Sequence, residues 1–225
     1  MHGDLWNAED YARHSDAQLK WAEELVRGLR LAGSEHILDI GCGDGKVTRI
    51  LAEKVPYGKV TGIDSSPDMI RVASRNFPEQ LFPNLRFTVL DARDMAFESC
   101  FDLVFSNAAM HWIKDHGPAL QRIRTGLKSG GRLVIQMGGK GNAAGILRVM
   151  DRMIALDPWG AYFQGFVFPY GFYGVEEYRR LLDQAGFIPL RISLIPKTME
   201  KKTREDLESD SERIPGACPG VSVHT

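Results

Sequence analysis

Cysteine is scarce in this chain. Three thiols, Cys42, Cys100 and Cys218, are spread over 225 residues, and no two of them form a C-x-x-C pair. An odd, unpaired set argues against a disulfide scaffold or a thiolate–zinc framework and fits a reducing compartment. Net charge is also nearly absent. The formal value of −1 leaves no global field to draw in nucleic acid. No apolar run reaches the ~18 residues of a membrane span, and no basic-then-apolar leader opens the chain. The expectation is therefore a cytoplasmic protein with neither nucleic acid nor membrane as partner. No internal repeat is present. What remains is ordinary for a globular chain, with 44% hydrophobic and 25% charged residues. The length suits one sizeable core with additions.

Against that background one stretch stands out, His36-Ile-Leu-Asp-Ile-Gly-Cys-Gly-Asp-Gly-Lys46. Ile37, Leu38 and Ile40 read as a parallel strand covered on both faces. Asp39 sits near its C-terminal end. Gly41, Gly43 and Gly45 follow with one residue between each, and glycine permits positive φ and lets a ligand lie against backbone. A helix over 48–54 comes next, so the turn predicts N-terminal amides directed at a ligand. Two familiar glycine loops are excluded by spacing. The dinucleotide fingerprint G-x-G-x-x-G needs glycine where Lys46 stands. The P-loop needs glycine at Ile40 and Ser or Thr at Val47.

Strands and helices then alternate. A helical face with Trp21, Leu25, Val26 and Leu29 precedes the glycine stretch. Strand two is predicted over 59–64, ending in Asp64, about 20 residues past the first glycine, where an acid accepts from ribose hydroxyls. The other reading of this end is a helix start at Ser65, Ser66 and Pro67. A helix over 68–75 leads to strand three over 85–90, which ends in Asp91-Ala92. Strand four over 101–106 ends in Asn107-Ala-Ala-Met-His-Trp112. A helix over 118–127, a turn over 128–131 and strand five over 132–137 complete the run. This alternation predicts an α/β fold, a doubly wound parallel sheet with helices on both faces. Ligands in such sheets bind beyond the carboxyl ends of the strands. Asp39, Gly41, Asp64, Asp91 and Asn107 all fall there.

With these blocks in view, residues 6–195 resemble the class I methyltransferases that use S-adenosylmethionine. Within that class the chain is similar to the trans-aconitate methyltransferases and their small-molecule carboxyl-methylating relatives. The resemblance is carried by Tyr11 with His14-Ser15, the turn from Asp39 to Gly45, Gly62-Ile-Asp-Ser-Ser-Pro-Asp-Met-Ile70, Asp91-Ala92, the Asn107–Trp112 block with Asp115-His116, and Lys128-Ser-Gly-Gly131. It implies a Rossmann-like sheet, S-adenosylmethionine as cofactor and a small-molecule methyl acceptor. It also implies roles. Backbone at Gly41 and Gly43 would cradle the methionine end, with Asp39 near its ammonium group. Asp64 would take the ribose. Ser65 and Met69 would flank the adenine, with Asp91 accepting from its amino group and Ala92 donating to the ring. Asn107 and Ala108 would line the sulfonium side, and His111 and Trp112 the transfer zone. Tyr11 and Ser15 would close over the cofactor.

A sulfonium methyl is already activated and a carboxylate is already a nucleophile, so ester formation needs positioning more than proton transfer. A base is required only where the acceptor carries a proton. His111 is the candidate base; its other reading is a pocket wall beside Trp112. Asp115 and His116 with His111 could suggest a metal set, but Asp115 more simply caps the following helix, and no metal is expected.

Beyond strand five, residues 146–156 read as a helix. Eight aromatic residues then crowd the stretch from Trp159 to Tyr173, either a cover over the acceptor or a satellite core under a long loop. A helix over 175–186 and strand six over 187–195 follow. Family members carry a seventh, antiparallel strand between strands five and six. Residues 197–213 are polar, and Ile214–Thr225 holds two prolines and only a short apolar run, so no convincing seventh strand is legible. The expected organisation is a lid and helix over 1–31, a cofactor-binding core over 32–137, an acceptor-site cover and sheet end over 138–196, and a disordered polar tail over 197–225. The activity expected is methyl ester formation on a small organic acid. The alternatives are O- or N-methylation of another metabolite, or cofactor binding without turnover if the C-terminus is incomplete.

Overall fold

The structure, a computed structural model, describes residues 16–196 and 220–224. Tyr11 and Ser15, expected to close over the cofactor, therefore lie outside the described residues. In chain order the elements are α1 (Asp16–Arg27), β1 (His36–Ile40), α2 (Lys46–Lys54), β2 (Lys59–Asp64), α3 (Pro67–Asn76), β3 (Leu85–Val89), β4 (Phe101–Asn107), a 3-10 turn (Met110–Trp112), α4 (Gly117–Gly126), β5 (Leu127–Gly138), α5 (Ala144–Ile154), α6 (Trp159–Tyr162), α7 (Val175–Gln184), β6 (Arg191–Ile195) and β7 (Gly220–His224). Among the described residues no helix is long and apolar enough to cross a membrane.

The strands form one sheet in the order β3-β2-β1-β4-β5-β7-β6. β1 to β5 are parallel neighbours. Side chains along these central strands alternate between two cores. Ile37, Leu103, Phe105 and Val134 pack with Val26 of α1 and Leu51 and Ala52 of α2. Leu38, Val104, Leu133 and Ile135 pack on the opposite face with Leu120 and Ile123 of α4 and Tyr178 and Leu182 of α7. Apolar residues on both faces of β1, β4 and β5 explain their near-continuous hydrophobic runs in the sequence. The chain therefore winds both ways from β1, and the crevice between the tips of β1 and β4 is the switch point where such sheets bind ligands.

Two expectations are corrected here. The turn predicted over 128–131 lies inside β5, which starts at Leu127. The strand absorbs it as an irregularity, with a register shift opposite Phe101 and Leu103 and Gly130 at φ 73°. The seventh strand, judged unconvincing from sequence, is present. Gly220–His224 lies antiparallel between β5 and β6, pairing Ile135 with Val223 and Val223 with Ile192. Part of the stretch expected as a disordered tail is thus sheet. A strand hydrogen-bonded along both edges is stabilised by backbone ladders, and its five residues need show little periodicity of their own.

Candidate active site

The glycine turn is held from below by β2. The amides of Gly41 and Cys42 donate to the Ile63 carbonyl at 2.8 and 3.0 Å. Gly43 N–H donates to Asp64 Oδ2 at 3.1 Å. Asp44 Oδ1 accepts from Lys46 N at 3.3 Å, and Asp44 pairs with the Lys46 ammonium at 2.9 Å. The turn amides expected to face a ligand are thus largely committed within the protein. A ligand would meet Cα–H and carbonyl groups there, and carbonyls suit an ammonium group. Gly41, at φ 71°, is required sterically as well, since a Cβ there would fall 2.1 Å from the Ala109 Cβ.

Asp39 sits directly beneath the turn, buried, with its Oδ2 accepting from the Thr48 hydroxyl at 2.8 Å. Burial lifts its carboxyl to about 7; the Thr48 bond works against the rise and the nearby Asp64 carboxylate adds to it. A buried acid in this position favours a cationic neighbour. Asp64 closes β2 as predicted. Its two oxygens accept from Gly43 N and, at 2.9 Å, from Ser66 N, and burial raises its pKa. The helix-start reading belongs to its neighbour, because Ser66 is the N-cap of α3 and Pro67 follows it. Each Asp64 oxygen keeps a further lone pair for hydroxyl donors.

The adenine-side residues are less uniform. Ser65 is exposed and Met69 is buried. Asp91 at the tip of β3 is gripped by the Arg93 guanidinium through both oxygens, at 2.9 and 2.7 Å, which holds its carboxyl below the usual range. Ala92 is buried beside it. An acceptor at Asp91 would share that carboxylate with Arg93.

The tip of β4 is locked to β5. Asn107 Oδ1 accepts from Gln136 Nε2 at 3.2 Å, and Ala108 N–H donates to the Gln136 carbonyl at 2.8 Å. Ala108 takes φ 55° without being glycine, a strained conformation of the kind concentrated at functional sites. The chain then turns through His111 and Trp112. His111 Nδ1 accepts from the Gly138 amide at 3.3 Å. That bond places the ring proton on Nε2. Burial, together with neighbouring His116, lowers its pKa to about 4. His116 is buried among Tyr173 and Tyr178, and burial lowers its pKa to about 4 as well. Asp115 accepts from Gly117 N at 3.0 Å at the start of α4.

The aromatic run divides in two. Phe172 and Tyr170 stack on one another 5.4 Å apart and flank the His111 ring, and Trp112 packs 4.9 Å from Tyr170. Gly171 N–H donates to the His111 carbonyl at 2.9 Å, fastening this half to the β4 tip. Trp159, Tyr162 and Phe166 are exposed. The first group packs around His111 at the β4 tip; the second is exposed. Thr48, Gln136 and Arg93 all touch expected site residues and were not singled out in the sequence. Thr48, nine residues after Asp39, was the one legible from its place in the first turn of the helix behind the glycine loop.

Comparisons with known proteins bear on the family and the fold. A family model described as a methyltransferase domain matches residues 31–186. An uncharacterized methyltransferase of Schizosaccharomyces pombe is 32% identical over 238 residues, covering 97% of this chain and 85% of that protein. A trans-aconitate 2-methyltransferase of Rhodopseudomonas palustris is 35% identical over 132 residues, 59% of this chain, and the match spans half of that enzyme's length. Phosphoethanolamine N-methyltransferase 2 of Haemonchus contortus, solved in complex with S-adenosyl-L-methionine, superposes with a TM-score of 0.66 at 24% identity, over 92% of this chain and 46% of that one, and shares the fold. The chain belongs to the class I S-adenosylmethionine-dependent methyltransferases.

Proposed function

We propose that this enzyme methylates a carboxylate of a small organic acid, forming a methyl ester. The observation that carries the reading is the hydrogen bond from Gly138 N–H to His111 Nδ1. It occupies the lone pair that a neutral imidazole would use as a base and leaves Nε2–H as a donor. A pKa lowered to about 4 makes the ring a poor proton acceptor besides. S-adenosylmethionine supplies a methyl group already activated on a sulfonium and leaves as a neutral thioether, so an acceptor that is already an anion needs no proton removed. Carboxylates meet that condition at neutral pH; alcohols and ammonium groups do not. The likeness to trans-aconitate 2-methyltransferases points the same way.

The rest of the site fits the cofactor. Asp39 would face the ammonium of the methionine end, which offsets the cost of its buried charge. Asp64 would accept from both ribose hydroxyls while keeping its bonds to Gly43 and Ser66. Ser65, Met69, Asp91 and Ala92 would border the base, and Asn107 and Ala108 the sulfonium side. His111 would donate to the acceptor from Nε2, with the stacked Tyr170 and Phe172 rings shielding it from water, and the half-exposed Trp112 would border the acceptor. The alternative of binding without turnover rested on a missing seventh strand, and Gly220–His224 stands in that place.

The test is methyl transfer from labelled S-adenosylmethionine to a panel of short di- and tricarboxylic acids, including trans-aconitate. The expected product loses its label as methanol in mild alkali, as an ester does. An alkali-stable product on an amine or alcohol would overturn the carboxylate reading.

A further inference from the structure

The loop leaving β5 carries a polar side chain with no role in the cofactor site. Asn142 is 3% exposed, and its Oδ1 has no hydrogen-bond partner among the described residues. A buried polar atom left this way calls for a partner such as a water, an ion or a ligand. A structural explanation is close at hand and fails. Asn142 immediately precedes Ala143, the N-cap of α5, a region where asparagine side chains commonly bond the first amides of a helix; yet α5 has no side-chain cap. The backbone of Asn142 is otherwise anchored, with its N–H donating to the Gly139 carbonyl at 2.9 Å.

The carboxamide lies against the end of β5. A Cβ at Gly138 would come within 3.0 Å of Asn142 Nδ2 and 2.9 Å of Phe172 Cε1. Gly138 is the same residue whose amide fixes the His111 tautomer. The Asn142 amide, the His111 imidazole and the Phe172 ring thus converge on one glycine at the C-terminal edge of the sheet, on the acceptor's side.

We propose that Asn142 is an acceptor-binding, specificity-determining residue whose carboxamide donates through Nδ2 to a carboxylate of the acid substrate, beside His111 Nε2–H. The inference rests on the carboxylate reading above. A half-turn about χ2 exchanges the oxygen and nitrogen of the amide without changing its shape, and a carboxylate selects the donor half. Two neutral donors suit a nucleophile. They orient the anion without the charge neutralisation that an arginine would impose on the attacking oxygen.

The experiment is calorimetric titration of trans-aconitate into the full chain saturated with S-adenosylhomocysteine, in the parent, Asn142→Ala and Asn142→Asp. The expected result is a loss of trans-aconitate affinity of about tenfold in Asn142→Ala and a larger loss, on the order of a hundredfold, in Asn142→Asp, where two anions face one another. S-adenosylhomocysteine affinity should stay within about twofold in both variants, reporting an intact cofactor site. Parent binding of trans-aconitate with equal or tighter binding by Asn142→Asp overturns the assignment of Asn142 and leaves the carboxylate reading standing. A parent that binds no acid of the panel and methylates an amine or alcohol overturns both. Loss of S-adenosylhomocysteine binding in both variants assigns the amide to the structure alone and also overturns the proposal.

Discussion

Gly41 and Ala109 meet so closely that a Cβ on the glycine would lie 2.1 Å from the Ala109 Cβ. This contact joins the glycine turn after β1 to the loop after β4, the two halves of the switch-point crevice. Gly130 is a natural control. It has a similar φ, 73° against 71°, with nothing within 4 Å of its virtual Cβ. Gly130→Ala should cost only the left-handed backbone strain, ~1–2 kcal/mol. Gly41→Ala should cost that and the clash, lowering Tm by several degrees more, since ~1 kcal/mol corresponds to ~2–4 °C at this chain length. Equal Tm losses in the two variants would show that the turn and the β4 loop are not packed as described.

With Asp39 at the ammonium group, cofactor binding should depend on pH. Its folded pKa, about 7, stands above the ordinary carboxylate value. A raised folded pKa means that its contribution to stability is fully present below the unfolded value, near 4, and is lost as pH rises through 7. Asp39→Asn should therefore stabilise the cofactor-free protein at pH 8, by something on the order of 2–4 kcal/mol, while weakening S-adenosylhomocysteine binding. In the parent, affinity should rise with pH up to about 7, by at most ~tenfold per unit, as the carboxyl ionises to meet the ammonium group. Affinity that does not vary between pH 5.5 and 7.5 would remove Asp39 from the cofactor site.

Asp64→Ala should weaken S-adenosylhomocysteine by ~1.5–3 kcal/mol for each charge-assisted bond lost. Because Asp64 also holds Gly43 N and Ser66 N, part of that loss would come from a loosened turn. Asp64→Asn keeps an acceptor for one of these amides and separates the two effects. Unchanged affinity in both variants is the result that contradicts the ribose assignment.

His111→Gln should reduce activity toward an acid only modestly, and the parent rate should show no histidine limb that the variant loses, either near the lowered value of about 4 or near the ordinary ~6.5. A loss of ~10²–10⁴-fold, accompanied by a vanishing pH limb, is what general base catalysis would give and would favour an acceptor that carries a proton.

Acid should destabilise the region around the β4 tip. Both His111 and His116 have folded pKa values lowered to about 4 by burial, with His116 adding to the effect at His111. Depressed values mean that their contribution is present above the unfolded value of ~6.5 and is lost as pH falls toward 4. Groups facing His116 include Tyr178, Tyr173 and Asp115, the last partly offsetting the shift. His116→Gln should flatten the fall in Tm between pH 6.5 and 4.5 by about 5–10 °C relative to the parent. Parallel Tm–pH curves for the two proteins would contradict this account.

The sequence by itself determined the frame. Apolar runs, acid-terminated strands and a D-x-G-x-G-x-G turn are local signals, and the predicted limits of β2 match the observed Lys59–Asp64. Periodicity and turn chemistry act over a few neighbouring residues, so they can be read in one dimension. What only the tertiary structure decided are relations between distant segments. β7 is stabilised by β5 and β6 on its two edges rather than by its own pattern. Asp91 is engaged by Arg93, and the ionisation of Asp39 depends on its burial and on Asp64, a strand away. The proton on His111 is placed by the amide of Gly138, 27 residues later in the chain. Asn142 belongs to no motif, and its side-chain oxygen, without a hydrogen-bond partner among the described residues, becomes meaningful only where β5 ends beside that histidine. Hydrogen bonding and desolvation depend on which groups folding brings together, and spacing along the chain does not record that.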